Sequence, residues 1–211
     1  SPKFIVVNRK EISSGNLTAI YNKAKSEIGF PLVVKAATQG SSIGISIITT
    51  DSESAFAESV EKALFCKTIS AGEWNSKSVD EKNEWIRATS DIREGIGLPV
   101  LMNGEAVYHP DALESKINSA LLSGMKSIAL EALDAENEIL VEGFIEGKEF
   151  SCIVVEDEQN NPVALPPTEI RKGKELFDYR SKYLPGLSRK ITPIELPDEQ
   201  IEKIRQSCEK L

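Results

Sequence analysis

The chain has 211 residues, 40% hydrophobic and 27% charged, enough apolar material to bury a sizeable core. Its 25 basic and 33 acidic side chains leave a net charge of −8, which excludes a general polyanion grip and so predicts no nucleic-acid partner. The longest uncharged run, residues 36–50, is too short and too polar to span a membrane, and no apolar segment follows a basic N terminus, so no membrane partner and a cytoplasmic location are expected.

Taken in chain order, residues 3–8 (KFIVVN) predict a short strand. Residues 14–28 predict a helix, because Leu17, Ile20, Ala24 and Ile28 recur at helical spacing before Gly29. The β-branched run 30–37 and residues 45–49 read as two strands of a hairpin with a polar tip, QGSSIG at 39–44. Asp51 or Ser52 caps a helix reaching about Phe65. Residues 67–110 differ from their flanks. They hold both tryptophans, Trp74 and Trp85, a helix predicted over 79–93, and a hairpin whose Asn103-Gly104 turn needs positive φ twice.

A long helix is expected over 111–133, followed by strands at 138–143 and 149–156 and a proline-broken strand at 161–170. Residues 171–190 are charged and without periodicity, a candidate functional loop. From Pro197, the residues Ile201, Ile204, Cys208 and Leu211 repeat at three and four, so a helix is expected still to be under way at the last residue, as in a piece of a longer protein. Strands interleaved with helices predict an α+β domain. Cys66, Cys152 and Cys208 are odd in number and far apart, and His109 is the single histidine. Neither a disulfide framework nor a His/Cys zinc site is expected, and a nucleophile paired with histidine would have to use His109, at a predicted strand end before Pro110.

Two segments can carry chemistry. Lys35 stands within an apolar strand, and Ser41, Ser42 and Gly44 follow it in a flexible turn, so an ammonium, two hydroxyls and backbone N–H groups are offered to one anion such as a polyphosphate. The spacing is not that of a Walker A loop, and an edge-protecting lysine beside an ordinary turn is the competing reading. Glu142 and Glu149 bound the segment Gly143 to Lys148, whose backbone suits a purine edge and ribose hydroxyls; a plain polar turn is the alternative.

In order, PLVVKAATQGSSIGIS, EILVEGFIEGKEFSCIVVED, LPPTEI and FDYRSKYLPG resemble the ATP-grasp ligases of the D-alanine:D-alanine ligase family, over residues 1–66, 111–170 and 177–211. The resemblance implies a partial ATP-grasp fold of α+β class, with ATP and D-alanine as the small-molecule partners. ATP phosphorylates one D-alanine carboxylate, and the amine of a second attacks the acyl phosphate to form a peptidoglycan precursor dipeptide. It implies that Lys35 binds the ATP phosphates and that the loop carrying Ser41, Ser42 and Gly44 closes over them. Glu142 with the main chain of Phe144 and Ile145 would meet adenine, and Glu149 the ribose. Lys182 and Tyr183 would lie in a mobile covering loop, Lys182 near the nucleotide and Tyr183 beside Ser41 at the second substrate, so that Ser41, Lys182 and Tyr183 form the catalytic set. Ala36 and Gln39 depart from the family pattern, where proline and an acidic residue are frequent, without removing a ligand.

The resemblance also implies a further domain before Ser1, and, after Leu211, the arginine and acidic cluster that hold Mg²⁺. The 211 residues alone are therefore expected to be inactive, with no metal ligand among them. Between Gly44 and Glu142 lie 97 residues where about 30 would serve three average elements, so residues 67–110 are expected to be an insertion, for packing or for contact with a second copy in a homodimer. A ligase for another carboxylate and amine pair, and a non-catalytic nucleotide-binding or assembly module, are the competing functions.

Overall fold

The computed structural model describes residues 2–172 and 188–211, which divide into two units, Ser1–Ile145 and Glu146–Leu211. In the first unit β1 (Phe4–Asn8) leads into α1 (Arg9–Ser13) and α2 (Leu17–Glu27). The helix expected over 14–28 is α2, and α1 before it was not expected. The Asn8 side chain caps α1 by accepting from the Lys10 N–H at 3.0 Å, and Gly15, at φ +83°, turns the chain before α2 starts. Strands β2 (Leu32–Ala36) and β3 (Ile45–Ile48) form the expected hairpin. Ser52 caps α3 (Glu53–Leu64) by accepting from Ala55 N–H at 3.2 Å, and Phe65 closes it in the left-handed conformation at φ 52°.

The sheet order is β1-β8-β2-β3, all antiparallel, with β8 (Glu138–Gly143) between β1 and β2. Side chains alternate across it. Ile5, Val7, Leu32, Val34, Ile139, Val141 and Ile48 face α2 and α3, where Ile20, Tyr21, Ala24, Phe56, Val60, Ala63 and Leu64 complete one apolar cluster.

Residues 66–132 build a second sheet. Strand β4 (Cys66–Ser70) precedes α4 (Ala71–Ser76) and α5 (Val79–Ser90), which begin in capping boxes made by Ser70 with Glu73 and by Ser78 with Glu81. Strands β5 (Val100–Met102) and β6 (Glu105–Val107) meet at Asn103 and Gly104, at φ 54° and 81°, the expected turn. Helix α6 (Pro110–Leu122) follows, with His109 as its N-cap residue. The helix expected to reach 133 ends at Leu122 because Gly124, at φ +97°, folds its N–H back to Leu121 O. Residues Ser127–Ala132 then form β7, with Ile128 and Leu130 buried at period two between β4 and β5. The segment expected as 67–110 therefore shares its sheet and its core with residues up to Ala132. Trp74, Ile86, Leu113, Ile117, Ile128 and Leu130 lie in that core; Trp74 packs edge-on against Trp85 and donates from Nε1 to Asn118 Oδ1 at 2.8 Å.

In the second unit the strand expected over 149–156 is split into β9 (Phe150–Ser151) and β10 (Val154–Glu156). That expected over 161–170 is split, at the prolines, into β11 (Pro162–Ala164) and β12 (Thr168–Lys172). Strands β10 and β11 pair, and β13 (Ser188–Ile191), β12 and β9 form a three-stranded sheet, so both ends of the expected 171–190 loop are strand. Helix α7 (Asp198–Glu209) follows Pro197 and grips β11: Arg205 Nε donates to Ala164 O at 2.9 Å, and Ala164 N–H donates to Glu209 Oε1 at 2.9 Å.

Candidate functional site

The face of the β1-β8-β2-β3 sheet turned away from α2 and α3 carries the predicted lysine. Strand register places Lys35 opposite Leu140 and Val33 opposite Glu142, so the lysine and glutamate are diagonal neighbours. Lys35 Nζ lies 2.7 Å from Glu142 Oε1, with the side chains 30% and 23% exposed. Around the pair the same face presents Phe4, Val6, Val33, Leu140, Ile45 and Ile47, exposed or half-buried, an apolar surface with one ammonium and one carboxylate set in it. A partly exposed pair of this kind contributes only about 0–1 kcal/mol. A polyphosphate can take the ammonium from Glu142 at little cost, which leaves the carboxylate to accept from an amino group.

The turn after β2 is shaped by its own packing. Ser41 and Ser42 adopt φ 57° and 61°, and Ile43 N–H closes the turn on Gly40 O at 3.1 Å. Gly44 is at φ +69°, and a Cβ there would stand 3.0 Å from Phe65 Cζ and 3.1 Å from Ala36 Cβ, so glycine is required by the loop's seat on the second core. Thr38, at the foot of the turn, is tied by its N–H and hydroxyl to Oε1 of buried Glu136, at 3.3 and 2.6 Å. Glu136 escaped the sequence reading because nothing near it marks a partner 98 positions away.

At the end of β8, Gly143 N–H donates to Lys3 O at 3.0 Å and Phe144 N–H to Pro31 O at 3.1 Å. The Phe144 amide is thus engaged in the chain's own pairing, which leaves its carbonyl for a main-chain contact. Ile145 is 69% exposed. Glu149 belongs to the second unit, where its carbonyl accepts from Ile170 N–H at 2.8 Å. Lys182 and Tyr183 lie outside the described residues. One unit therefore contains Lys35, Ser41, Ser42, Gly44, Glu142, Phe144 and Ile145, and direct side-chain contact is observed for Lys35 with Glu142.

Comparison with known proteins decides the family. The model of the family described as D-ala D-ala ligase C-terminus matches residues 1–69 and 115–211. The chain belongs to that family. Among curated relatives, this ligase-family chain is 27% identical over 206 residues to the D-alanine--D-alanine ligase of Desulforamulus reducens, covering 98% of the chain and 43% of that protein. To the D-alanine--D-alanine ligase of Carboxydothermus hydrogenoformans it is 31% identical over 143 residues, 68% of the chain and 44% of that protein. It spans less than half the length of these relatives. Among solved structures it resembles the VanG D-Ala:D-Ser ligase from Enterococcus faecalis, with a TM-score of 0.52 and 16% identity over 98% of the chain and 38% of that protein. It also resembles D-alanyl-alanine synthetase A from Vibrio cholerae, with a TM-score of 0.51 and 17% identity over the whole chain and 41% of that protein. These likenesses establish the fold: α+β, part of the ATP-grasp ligase architecture, as the sequence predicted.

Two features of the ligase-family chain went unpredicted. In the second unit, buried Glu169 holds Arg171 Nε at 2.9 Å and Lys148 Nζ at 3.2 Å, while Arg171 reaches Glu195 Oε2 at 2.5 Å and Lys148 donates to Glu195 O at 3.0 Å. Arg171 foremost, and Lys148, hold the Glu169 carboxyl below its usual range. In the first unit a cleft of about 540 Å³ opens between α3, β4 and α5, with Lys67 Nζ 4.8 Å over the Trp85 ring. Burial pulls the Lys67 ammonium down and pushes the nearby Glu61 carboxyl up. The cleft's walls carry both signs of charge and none of the predicted site residues. Among the described residues no cluster of three Asp, Glu, His or Cys is placed to hold a metal ion, and no helix is long and apolar enough to cross a membrane.

Proposed function

We propose that this chain is the nucleotide-holding portion of a cytoplasmic ATP-dependent ligase that joins two D-alanines for peptidoglycan precursor synthesis. The observation that carries the proposal is the Lys35–Glu142 pair on an apolar sheet face, in a chain of the D-Ala–D-Ala ligase family. ATP, when bound, supplies the phosphoryl group that activates a D-alanine carboxylate. Lys35 neutralises the phosphates, and Glu142 with the Phe144 carbonyl and the Ile145 main chain meets the adenine edge. Glu149 is assigned to the ribose. Ser41 and Ser42 cover the phosphates with hydroxyl and N–H donors, held in place by the Gly44 packing and the Thr38–Glu136 tie. Lys182 and Tyr183 are assigned to a loop that excludes water from the acyl phosphate, Tyr183 beside Ser41.

The described residues give Mg²⁺ no ligand cluster. Residues 67–110 are proposed as an insertion in the family fold; the two stretches matched by the family model, 1–69 and 115–211, lie on either side of most of it. With no metal-ligand cluster among its described residues, the 211-residue chain is expected to release no phosphate from ATP and D-alanine, while still binding ATP weakly. Isothermal titration tests the binding. Lys35→Ala is expected to weaken ATP at least tenfold, because a charge-assisted contact contributes about 1.5–3 kcal/mol. Identical curves for the native chain and for a Lys35→Ala, Glu149→Ala double variant would overturn the assignment.

A further inference from the structure

The turn between β2 and β3 is held from outside itself. Ser41 and Ser42 stand side by side at φ 57° and 61°, a left-handed conformation that residues other than glycine keep only where their surroundings fix it. Supports come from residues 65–136. Ala36, at the stem, is buried in the second apolar cluster, and Ile43 packs against the same cluster. Gly44 lies so close to the Phe65 ring that a Cβ would stand 3.0 Å from it. Thr38 gives both its N–H and its hydroxyl to Glu136 Oε1, and Gln39 shares a cavity of about 200 Å³ with Phe65, Ile96, Leu98 and Leu133.

These supports are fastened to one another. Phe65 O accepts from Ala132 N–H at 2.9 Å, and Glu136 N–H donates to Leu64 O at 3.2 Å, which ties the end of α3 to the chain leaving β7. Ile96 and Gly97 both donate from N–H to Thr89 O at 3.0 Å, and Gly95 approaches α5 so closely that a Cβ would meet Ala88 O at 2.4 Å. The segment carrying Ile96, itself 2% exposed, is therefore clamped to the end of α5. Away from this seat Gln39, Gly40 and Ser41 are exposed, so the turn has a built base and an open face.

We infer that the β4-β7-β5-β6 layer is a platform that keeps the Ser41-Ser42 turn in anion-binding shape, with Phe65, Ile96 and Glu136 as positioning residues, an inference that rests on the proposed placement of that turn over the ATP phosphates. The segment proposed as an insertion thereby acquires a task. Ile96 lies between the two stretches matched by the family model, 1–69 and 115–211, and supports a turn that lies within the first. The physical reason is preorganisation. A turn already held in its binding shape needs no further ordering when an anion arrives, whereas a turn released from its seat must be ordered by the ligand, and affinity falls accordingly. Recognition of adenine and ribose is assigned to other residues, so it should be indifferent to the seat.

The test titrates the 211-residue chain with ATP and with adenosine, which carries no phosphate, following amide shifts by NMR. Ile96→Ala and Glu136→Ala are each expected to weaken ATP about threefold or more and to leave adenosine unchanged. Glu136→Gln, which keeps an oxygen to accept from Thr38, should restore most of the ATP affinity. Thr38→Val removes one donor from an exposed residue without touching the core, and should weaken ATP in the same direction even if a core variant does not fold. Equal losses for ATP and adenosine would make the layer a structural support alone and overturn the proposal. Unchanged ATP binding in Ile96→Ala, Glu136→Ala and Thr38→Val, with Lys35→Ala still weakening it, would overturn the platform and leave the nucleotide assignment standing. If Lys35→Ala is silent as well, and the native chain does not distinguish ATP from adenosine, the nucleotide assignment falls and the platform falls with it.

Discussion

Residues 1–145 bury two apolar clusters, one between α2, α3 and the β1-β8-β2-β3 sheet and one between α4 to α6 and the β4-β7-β5-β6 sheet. In residues 146–211 the buried apolar side chains, among the described residues, are those of Ala164, Pro167 and Ile194, and the cohesion recorded there is largely polar: Lys148, Glu169, Arg171 and Glu195 in one network, Arg205 and Glu209 clamping Ala164. Burial against water is non-directional and proportional to area, so the first unit tolerates detail and resists local change. Polar contacts are geometric and depend on charge state. The second unit should therefore answer to pH and to single polar substitutions, where the first answers to cavities.

The largest effect is expected from a cavity in the first unit. Phe56→Ala or Trp74→Ala, each removing a fully buried ring, should destabilise by about 3–5 kcal/mol in urea unfolding. Both tryptophans lie in residues 66–132, so fluorescence follows the second cluster while circular dichroism follows the whole chain. If Phe56→Ala shifts the fluorescence transition as much as the dichroic one, the two clusters unfold together; a shift in dichroism alone would divide them.

A smaller effect, confined to the second unit, is expected from Glu169→Gln, which leaves Lys148 and Arg171 without their shared carboxylate. The same network sets a pH dependence. The folded Glu169 carboxyl is held below its ordinary value of 4.5, chiefly by Arg171, so its contribution is complete above that value and is lost as pH falls through the lower folded one. The protection of β12 and α7 amides against hydrogen exchange, taken relative to the intrinsic rate at each pH, should therefore fall as pH drops below the ordinary 4.5 and hold between pH 5 and 7. Glu169→Gln should flatten that response, and an unchanged acid response would remove Glu169 from the account.

Ser52→Ala, which deletes the cap of α3, is expected to cost about 1 kcal/mol, and Ser52→Thr should restore most of it. Because the cap lies in the first unit, exchange across α7 should not move. A change there would mean that the two units share their stability.

Local chemistry was enough for several elements. Asn103-Gly104 specifies its own turn, Ser52 its own cap, and the β-branched runs of β2 and β8 their own extended backbone. The individual residues Lys35 and Glu142 were legible for the same reason, since each stands out from an apolar strand. Their contact was not legible, because it depends on β8 entering between β1 and β2 and on a register that sets Val33 opposite Glu142. Helix propensity misled over 127–132, where Ala, Leu and Glu favour helix but pairing with β4 and β5 buries Ile128 and Leu130 at period two.

By itself the sequence determined the α+β class, the position of most strands and caps, and a family resemblance from which the nucleotide-binding residues are proposed, because each of these rests on side chains a few positions apart. Only the tertiary structure decided that Glu136 anchors the Ser41-Ser42 turn and that Glu169 gathers two cations. Those contacts join positions separated by 21 to 98 residues, or by 2 where Arg171 turns back on Glu169. Each exists only where packing of whole elements has already closed the intervening chain, and no periodicity or spacing in the sequence records that closure.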